Sequence, residues 1–322
     1  MEEKNGGIFM LYRTIPGLAR KASAIILGSG GLGTGEQLEY TFATLDAYLA
    51  IGGNWIDAAR IYGNPPGDVE KAIGEWLRAR GCRDQIILAT KGAHPPLQDM
   101  HAGRLDRASI RSDLAASLEA LGVENVDVYY LHRDDESRPV GEILETLNGF
   151  VEEGRVKLLG ASNWKTARLR EANAYAAAHG LKGFAANQPK WSLARCLLET
   201  DDTLVQMDGE MARWHRETGA VCTPYTSQAK GYFMKLQAGT LSEKARERYD
   251  APENRAIYEK LLALSQQTGH SIGALQLAYL TSQMFPTLPI VGVSSLEQVR
   301  ALEEAGNVAL TQAQIDGLRT ME

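Results

Sequence analysis

The sequence predicts an α/β fold in the form of a single (β/α)8 TIM barrel. Short apolar runs alternate with amphipathic helical patterns along most of the 322 residues. The runs are almost continuously apolar, as is typical of parallel strands buried on both faces. No proline-rich or serine-rich linker divides the chain, and one barrel commonly exceeds about 200 residues. We therefore expect a single barrel domain over residues 1–322.

The strand predictions rest on short, β-rich apolar runs with turn-forming residues around them. They cover Ala24–Leu27, Trp55–Asp57, Ile86–Thr90, Val126–Leu131, Leu158–Ser162, Ala185–Gln188, Ala220–Thr223 and Pro289–Gly292.

The helix predictions rest on apolar residues that recur on one helical face. Ile110, Leu114, Leu118 and Leu121 are separated by four, four and three positions. The same pattern predicts helices over Asp68–Arg80, Val140–Glu153, Lys165–Ala178, Leu204–Thr218 and Ser271–Thr281.

Two segments depart from the alternation of strands and helices. Phe9–Ser23 contains Pro16-Gly17, a turn signal between short extended arms, which predicts an N-terminal β-hairpin cap at the bottom of the barrel. Thr226–Glu253 follows the seventh predicted strand and contains Gly231 and Gly239. A loop of this length is usually a lid or a binding loop, so we expect it to take part in function.

Composition narrows the function classes. The chain has 40 acidic and 34 basic residues, a formal net charge of −6 and no dense Lys/Arg cluster, which argues against nucleic acid or membrane partners. Cys82, Cys196 and Cys222 are odd in number and scattered, so we expect a reducing cytoplasm and no metal site. No apolar run reaches the length of a membrane span. Nothing marks an oligomer interface, so a monomer is the default expectation.

Polar side chains follow the predicted strands where the mouth of a barrel would lie. In this architecture chemistry is carried at the carboxyl ends of the strands. Any one of these residues has an ordinary explanation, such as a helix cap or a solvated lysine. Their recurrence at successive strands favours one shared site, formed by Asp57, Tyr62, Lys91, His132, Ser162, Asn163 and Gln188.

Four of these residue types suit proton donation to a carbonyl oxygen. A tyrosine has a reference pKa of ~10 and is a poor acid at neutral pH unless its phenolate is stabilised. A buried Lys91 cation would lower that pKa, and Asp57 would keep the lysine charged and oriented. His132 would polarise the carbonyl or assist the proton relay. We therefore predict Asp57, Tyr62, Lys91 and His132 as the catalytic group.

Several separated motifs resemble the aldo-keto reductase family across nearly the whole chain. They are Gly53–Gly63, Leu88–Lys91, Asp127–His132, Gly154–Lys157, Leu159–Asn163 and Asn187–Pro189. The resemblance implies a (β/α)8 barrel with a hairpin cap and no metal. It implies a nicotinamide-dependent oxidoreductase that reduces an aldehyde or ketone to an alcohol, with Tyr62 as the general acid.

The resemblance also implies where the cofactor would bind. Ser162, Asn163 and Gln188 would hold the nicotinamide carboxamide, and Tyr225 would stack on the ring. The pyrophosphate and adenosine contacts would come from Thr226, Gln228, Lys230, Gly292, Ser294, Ser295 and Gln298.

Gly292 and Gln298 stand where NADP-preferring members often have a lysine or arginine. Arg300 is a further candidate cation, although a charge on the surface of a helix is the better explanation for it. We favour NADP on family prevalence, with NAD as the alternative.

The substrate is expected to be a small-molecule carbonyl compound. The residues expected to border its pocket are Trp164, Trp191, His94 and Gly31–Gly33. For Trp164, packing against the fifth strand is the alternative. Arg133, Asp134 and Asp135 could face a polar, sugar-like substrate or could form a solvated ion cluster.

Two other function hypotheses compete. A cofactor-sensing regulatory subunit would not need Tyr62, so the intact catalytic group argues against it. An isomerase with a glutamate base lacks a candidate at a strand end, since Glu70 and Glu75 fall on the helix after Tyr62.

Overall fold

The computed structural model describes residues 10–319 and has the predicted (β/α)8 architecture. The strands are β1 (Tyr12–Arg13), β2 (Ala22–Ser23), β3 (Ile26–Gly28), β4 (Trp55–Asp57), β5 (Ile87–Gly92), β6 (Val126–Leu131), β7 (Val156–Ser162), β8 (Phe184–Gln188), β9 (Val221–Cys222) and β10 (Ile290–Gly292). Eight of them are parallel and form one sheet in the order β10-β3-β4-β5-β6-β7-β8-β9.

Helices follow the strands and surround the sheet. They are α1 (Leu38–Ala50), α2 (Asp68–Arg80), α3 (Arg107–Leu121), α4 (Val140–Glu152), α5 (Thr166–Ala178), α6 (Gly209–Thr218), α7 (Tyr232–Gln237), α8 (Glu243–Tyr249), α9 (Pro252–Thr268), α10 (Ile272–Thr281), α11 (Leu296–Ala305) and α12 (Gln312–Leu318). Within the described part of the chain, no helix has both the length and the apolar character needed to cross a bilayer.

Backbone hydrogen bonds outside the regular strands close the barrel between β9 and β10. Cys222 N donates to Pro286 O and Leu288 N donates to Cys222 O, both at 2.8 Å. Ile290 N donates to Pro224 O at 2.9 Å. Because β10 also pairs with β3, these bonds complete the circle and leave no free sheet edge there.

Two apolar cores explain why the strands are apolar on both faces. The barrel interior is filled by inward side chains such as Trp55, Val128 and Leu158. Outward side chains such as Leu88 and Leu131 pack beneath the helices in the larger core. Strand alternation therefore assigns each neighbouring pair of residues to opposite cores.

The antiparallel β1–β2 hairpin covers the amino-terminal end of the barrel, as the sequence predicts. The predicted segment begins at Phe9, which lies outside the described residues. Ile15 and Ala22 of this segment belong to the interior core. Gly17 has a left-handed φ of +88°, and a Cβ there would lie 2.6 Å from Leu158 Cδ2. The turn therefore requires glycine for both its conformation and its close approach.

Two sequence-based boundaries were wrong. The connection predicted as a loop over Thr226–Glu253 contains α7 and α8 and ends inside α9. The helix predicted from Leu204 begins only at Gly209, where the Asp208 carboxylate caps it by accepting a 2.7 Å bond from Met211 N. An aspartate in this position satisfies a backbone donor at the start of a helix and so fixes the boundary.

Candidate active site

The carboxyl ends of β4 to β8 bring the predicted polar residues to one mouth of the barrel. Asp57 ends β4, Lys91 lies in β5, and His132 follows β6. Ser162 and Gln188 end β7 and β8, which pair with each other in register. Residues widely separated in sequence thus become neighbours because parallel strands end at the same edge.

Lys91 is the centre of the site. Its Nζ donates to Asp57 Oδ2 at 2.6 Å, to the carbonyl of Ala58 at 2.7 Å and to the Tyr62 hydroxyl at 3.3 Å. These three partners match the three donors of an ammonium group. The side chain has no solvent exposure, so water does not compete for these bonds.

The charge of Lys91 is maintained by its neighbours. Burial alone would lower the pKa of Lys91, but the attraction of Asp57 and of Tyr62 outweighs it, so that the pKa is raised above its usual value. Asp57 is only 2% exposed, and the two charges form a buried ion pair. The site therefore favours a lysine cation within hydrogen-bonding distance of the Tyr62 oxygen.

Tyr62 lies where the buried pair meets the open mouth. It is half-buried, unlike Asp57, Lys91 and His132, which are all buried. Its ring centroid lies 5.9 Å from that of His132 in an edge-to-face arrangement. Its hydroxyl is thus the group through which the buried charges can act on a ligand.

His132 is held neutral. Burial lowers the pKa of His132 well below its usual value, and Lys91, His94 and Arg133 lower it further. Within residues 10–319 its buried Nδ1 has no hydrogen-bond partner. The tautomer that carries the proton on Nε2 leaves no buried N–H unpaired and makes Nε2–H a donor.

Gln188 is tied to the same buried charges. Its Nε2 donates to Asp57 Oδ1 at 3.1 Å, and its backbone carbonyl accepts a 2.9 Å bond from Ser162 Oγ. The orientation of the amide is thereby set, and Oε1 is left as an acceptor. An amide N–H of a ligand is the complementary group.

Asn163 already uses its full hydrogen-bonding capacity. Its Nδ2 donates to the carbonyl of His132 at 3.3 Å and to Ser162 Oγ at 3.1 Å. Its Oδ1 accepts from the Tyr225 hydroxyl at 2.7 Å and from Val205 N at 3.1 Å. Asn163 has a left-handed φ of 61°, and in this conformation its side chain bonds to and orients both Ser162 and Tyr225.

A cavity of about 820 Å³ lies beside β10, between the loop after β9 and the helices α7, α10 and α11. The predicted residues that line it are Thr226, Gln228, Lys230, Gly292, Ser294 and Gln298. Ser295 is not in this lining, because its hydroxyl caps α11 by accepting from Gln298 N at 3.2 Å. Gln298 Oε1 accepts from Ser294 N at 2.8 Å, which orders the loop before the helix.

The loop after β9 has the character of an anion-binding segment. Thr226, Ala229 and Lys230 have positive φ values of 53°, 48° and 54°. Such a series is uncommon for residues other than glycine. Burial lowers the pKa of Lys230, and nearby cations, with Arg248 the strongest, lower it further. Neighbouring positive charges and a backbone in left-handed conformations are features typical of loops that bind phosphate.

Lys235 was missed by the sequence-based prediction. It lies on α7, lines the same cavity, and donates from Nζ to the carbonyl of Lys230 at 2.9 Å. The sequence predicted this segment as a loop, so the prediction did not show that a helix would direct Lys235 towards the cavity. Lys235 places a second lysine in the lining, where Gly292 and Gln298 carry no charge. Both Lys235 and Arg300 are exposed, but Arg300 does not line the cavity.

Several residues predicted at the substrate pocket serve other contacts. Trp164 is fully buried against Phe184, and Trp191 stacks on Phe285. His94 remains at the site, with its ring centroid 4.6 Å from that of His132.

The glycine segment after β3 stays close to the loop that carries Tyr62. Gly31 and Leu32 line a second, smaller cavity together with Gly63 and Asn64. This part of the predicted pocket border therefore lies beside the proposed proton donor.

The charged residues after His132 form ion pairs. Arg133 pairs with Asp201 at 3.4 Å, and Asp134 pairs with Arg168 at 3.2 Å. Of the two alternatives that the sequence left open for these residues, the structure shows the ion cluster and not charges that are free to face a substrate.

Comparison with known proteins agrees with this geometry. A sequence profile described as the aldo/keto reductase family matches residues 24–322. The chain is 29% identical to norsolorinic acid reductase B of Dothistroma septosporum, over 95% of this chain and 80% of that protein. It is 28% identical to the putative aryl-alcohol dehydrogenase AAD14 of Saccharomyces cerevisiae, over 94% and 83%. It is 29% identical to the aldo-keto reductase ausK of Emericella nidulans, over 86% and 71%.

We predict that the His132 ring does not titrate in the folded protein between about pH 5 and pH 8. Its pKa is lowered below the unfolded value, so the ring stays neutral until the pH falls well below that value. NMR of the ring resonances, assigned by their loss in His132→Gln, measures this directly. In denaturant the same ring should titrate near the reference value of ~6.5. A folded-state titration near that reference value would contradict the prediction.

Proposed function

The chain belongs to the aldo/keto reductase family, and from this premise we propose that it reduces an aromatic aldehyde or ketone with NADPH, using Tyr62 as the proton donor. Membership of the family makes it a carbonyl-reducing enzyme that uses a nicotinamide cofactor. The observation that carries the proposal is the buried Lys91–Asp57 pair, whose cation lies 3.3 Å from the Tyr62 hydroxyl. The choice of NADPH as the nucleotide and of an aromatic substrate goes beyond family membership and is argued separately below.

The chain's own residues account for proton transfer. Bound reduced nicotinamide supplies the hydride. The Tyr62 hydroxyl donates its proton to the carbonyl oxygen as negative charge develops there. The resulting phenolate is stabilised by Lys91, whose charge is maintained by Asp57. Because this cation is already in place, no reorganisation is needed at the moment of reaction.

His132 contributes as a neutral donor. An Nε2–H group beside Tyr62 can bind the carbonyl oxygen and orient the carbonyl for attack. A charged imidazolium would instead place a second cation near Lys91, which burial disfavours. The direction of the His132 pKa shift supports this role.

The residues around Gln188 would orient the nicotinamide. Gln188 Oε1 is the acceptor for the carboxamide N–H, since its Nε2 is bound to Asp57. Tyr225 would stack on the ring, held by its bond to Asn163. Asn163 would act through Ser162 and Tyr225, since its own amide is fully bonded.

Lys230 and Lys235 support NADP over NAD. The 2′-phosphate of NADP adds negative charge, and a nearby ammonium group is a suitable partner for it. Lys235 lines the cavity without a carboxylate partner among the ion pairs of residues 10–319. It can therefore replace the basic residues absent at 292 and 298.

An aromatic substrate is supported by the names of relatives and by exposed apolar side chains in loops that follow two of the strands. The relatives' names refer to norsolorinic acid and aryl alcohols. The loops after β5 and β8, which begin at the barrel mouth, carry the exposed side chains of Leu97, Leu197 and Leu198. The charges of Arg133 and Asp134 are engaged in ion pairs, which weakens the case for a sugar-like substrate.

Replacing Tyr62 with phenylalanine should lower kcat for aromatic aldehydes by about 100- to 10,000-fold, the range typical of a lost general acid. NADPH affinity should be unchanged, because the hydroxyl is not assigned to nucleotide binding. Nucleotide absorbance measures turnover, and fluorescence titration measures affinity. Tyr12→Phe, at the hairpin, is the control and should keep wild-type activity. Unchanged turnover in Tyr62→Phe would remove the basis for the acid assignment.

Replacing Lys235 with methionine should weaken NADPH binding about tenfold, which corresponds to about 1.4 kcal/mol, and should leave NADH binding nearly unchanged. The difference isolates the 2′-phosphate, which only NADPH carries. Fluorescence titration with both nucleotides measures it. Lys260→Met is the matched control, because this exposed lysine of α9 lies outside the cavity. Equal losses for both nucleotides would refute the phosphate role.

A further inference from the structure

A second ion pair, between a partly exposed arginine and a buried glutamate, lies next to the Lys91–Asp57 pair. Arg60 Nη1 contacts Glu70 Oε2 at 3.2 Å, and Glu70 has no solvent exposure. Its other oxygen, Oε1, accepts a 2.6 Å bond from Thr90 Oγ1. Glu70 lies in the first turn of α2, where the helix dipole favours a carboxylate. None of these residues belongs to the catalytic group described above.

Arg60 holds both ends of the loop that carries Tyr62. Its backbone N donates to the carbonyl of Lys91 at 2.8 Å, and its Nη2 donates to the carbonyl of Pro66 at 2.9 Å. Gly67 N closes the loop by donating to the carbonyl of Tyr62 at 3.0 Å. The segment from 60 to 67 is therefore fastened before, at and after Tyr62.

Gly67 shows how closely the guanidinium is fitted to this loop. The glycine has a left-handed φ of +91°, and a Cβ there would lie 1.5 Å from Arg60 Nη1. Any other residue would displace the guanidinium and strain the backbone. The loop is thus shaped around the arginine side chain.

Strand alternation links this cluster to the catalytic lysine. Thr90 and Lys91 are adjacent in β5, so their side chains point to opposite faces of the sheet. Lys91 reaches Tyr62 inside the barrel mouth, and Thr90 reaches Glu70 on the outer face. One peptide unit of β5 therefore connects the lysine with the residues that hold the tyrosine loop.

We propose that Arg60, Glu70 and Thr90 form a clamp that positions Tyr62 against Lys91. The clamp residues are positioning residues, since they touch neither substrate nor cofactor. The planar guanidinium binds Glu70 through Nη1 and Pro66 through Nη2, and the single nitrogen of a lysine does not provide this fixed spacing of two donors. The inference rests on the proposed function, because it concerns the placement of the acid used there.

Arg60→Met should lower kcat by about 10- to 100-fold, the loss expected when a catalytic group is displaced by about 1 Å. The Kd for NADPH should be unchanged, because Arg60 does not line the cavity beside β10 that is proposed to bind the nucleotide. Arg60→Lys should recover only part of the kcat, since it keeps the charge but loses the two-sided contact. If Arg60→Met folds poorly, the kcat of Arg60→Lys still tests the clamp, because this variant keeps the positive charge.

Arg83→Met is the matched control. Arg83 pairs with buried Asp127 at 3.0 Å and is 25% exposed, against 27% for Arg60, but it lies at the opposite end of the barrel. It should retain the kcat of the wild type. Equal kcat values for Arg60→Met and the wild type would overturn the clamp. An equal loss in Arg83→Met would also overturn it, because the effect would then be general destabilisation.

Hydrogen exchange separates the clamp from the proposed function. The backbone amides of residue 60 and of Gly67 should exchange faster in Arg60→Met than in Arg83→Met, whether or not the protein turns over a carbonyl. Unaltered exchange at both amides would overturn the clamp. If the wild type reduced no carbonyl while exchange changed as expected, the proposed function would fail and the clamp would stand as the support of the Tyr62 loop.

Discussion

The buried ion pair between Lys91 and Asp57 is the constraint on which the rest of the site depends. Two charges withdrawn from water are costly unless each is bonded on several sides. Lys91 meets this condition with Asp57, Ala58 and Tyr62, and Asp57 with Lys91 and Gln188. The tyrosine and the glutamine are therefore oriented by the same charges, so that the proposed proton donor and the proposed nicotinamide ligand share one support.

The barrel makes this arrangement possible. Its interior is filled by apolar side chains, and the polar residues of the candidate site lie at the carboxyl ends of the strands. The electrostatic field of Lys91 thus acts in surroundings from which water is largely excluded, where it is stronger than in solvent. Asn163 extends the ordered network to Tyr225, and the clamp around Arg60 extends it to the outer face of β5.

The sequence predicted the barrel and the clustering of the catalytic group, because continuous apolar strands and polar strand ends are local patterns. It missed α1, because Thr41 and Thr44 stand beside Leu45 and Tyr48 on the buried face and interrupt the apolar pattern. It also missed Lys235 and the clamp, since Arg60 and Glu70 meet only through folding of the Tyr62 loop. The saturated bonding of Asn163 depends on Val205 and Tyr225, which no local pattern connects.

Transfer of deuterium from the nucleotide to an aromatic aldehyde tests the central claim most directly. NADPH labelled at C4 in either of its two orientations would be incubated with the purified protein, and the alcohol analysed by mass spectrometry. A nicotinamide ring held by Gln188 and Tyr225 presents one face, so deuterium should reach the alcohol carbon from only one labelled form. Tight nucleotide binding with no transfer from either form would contradict the account and favour a cofactor sensor.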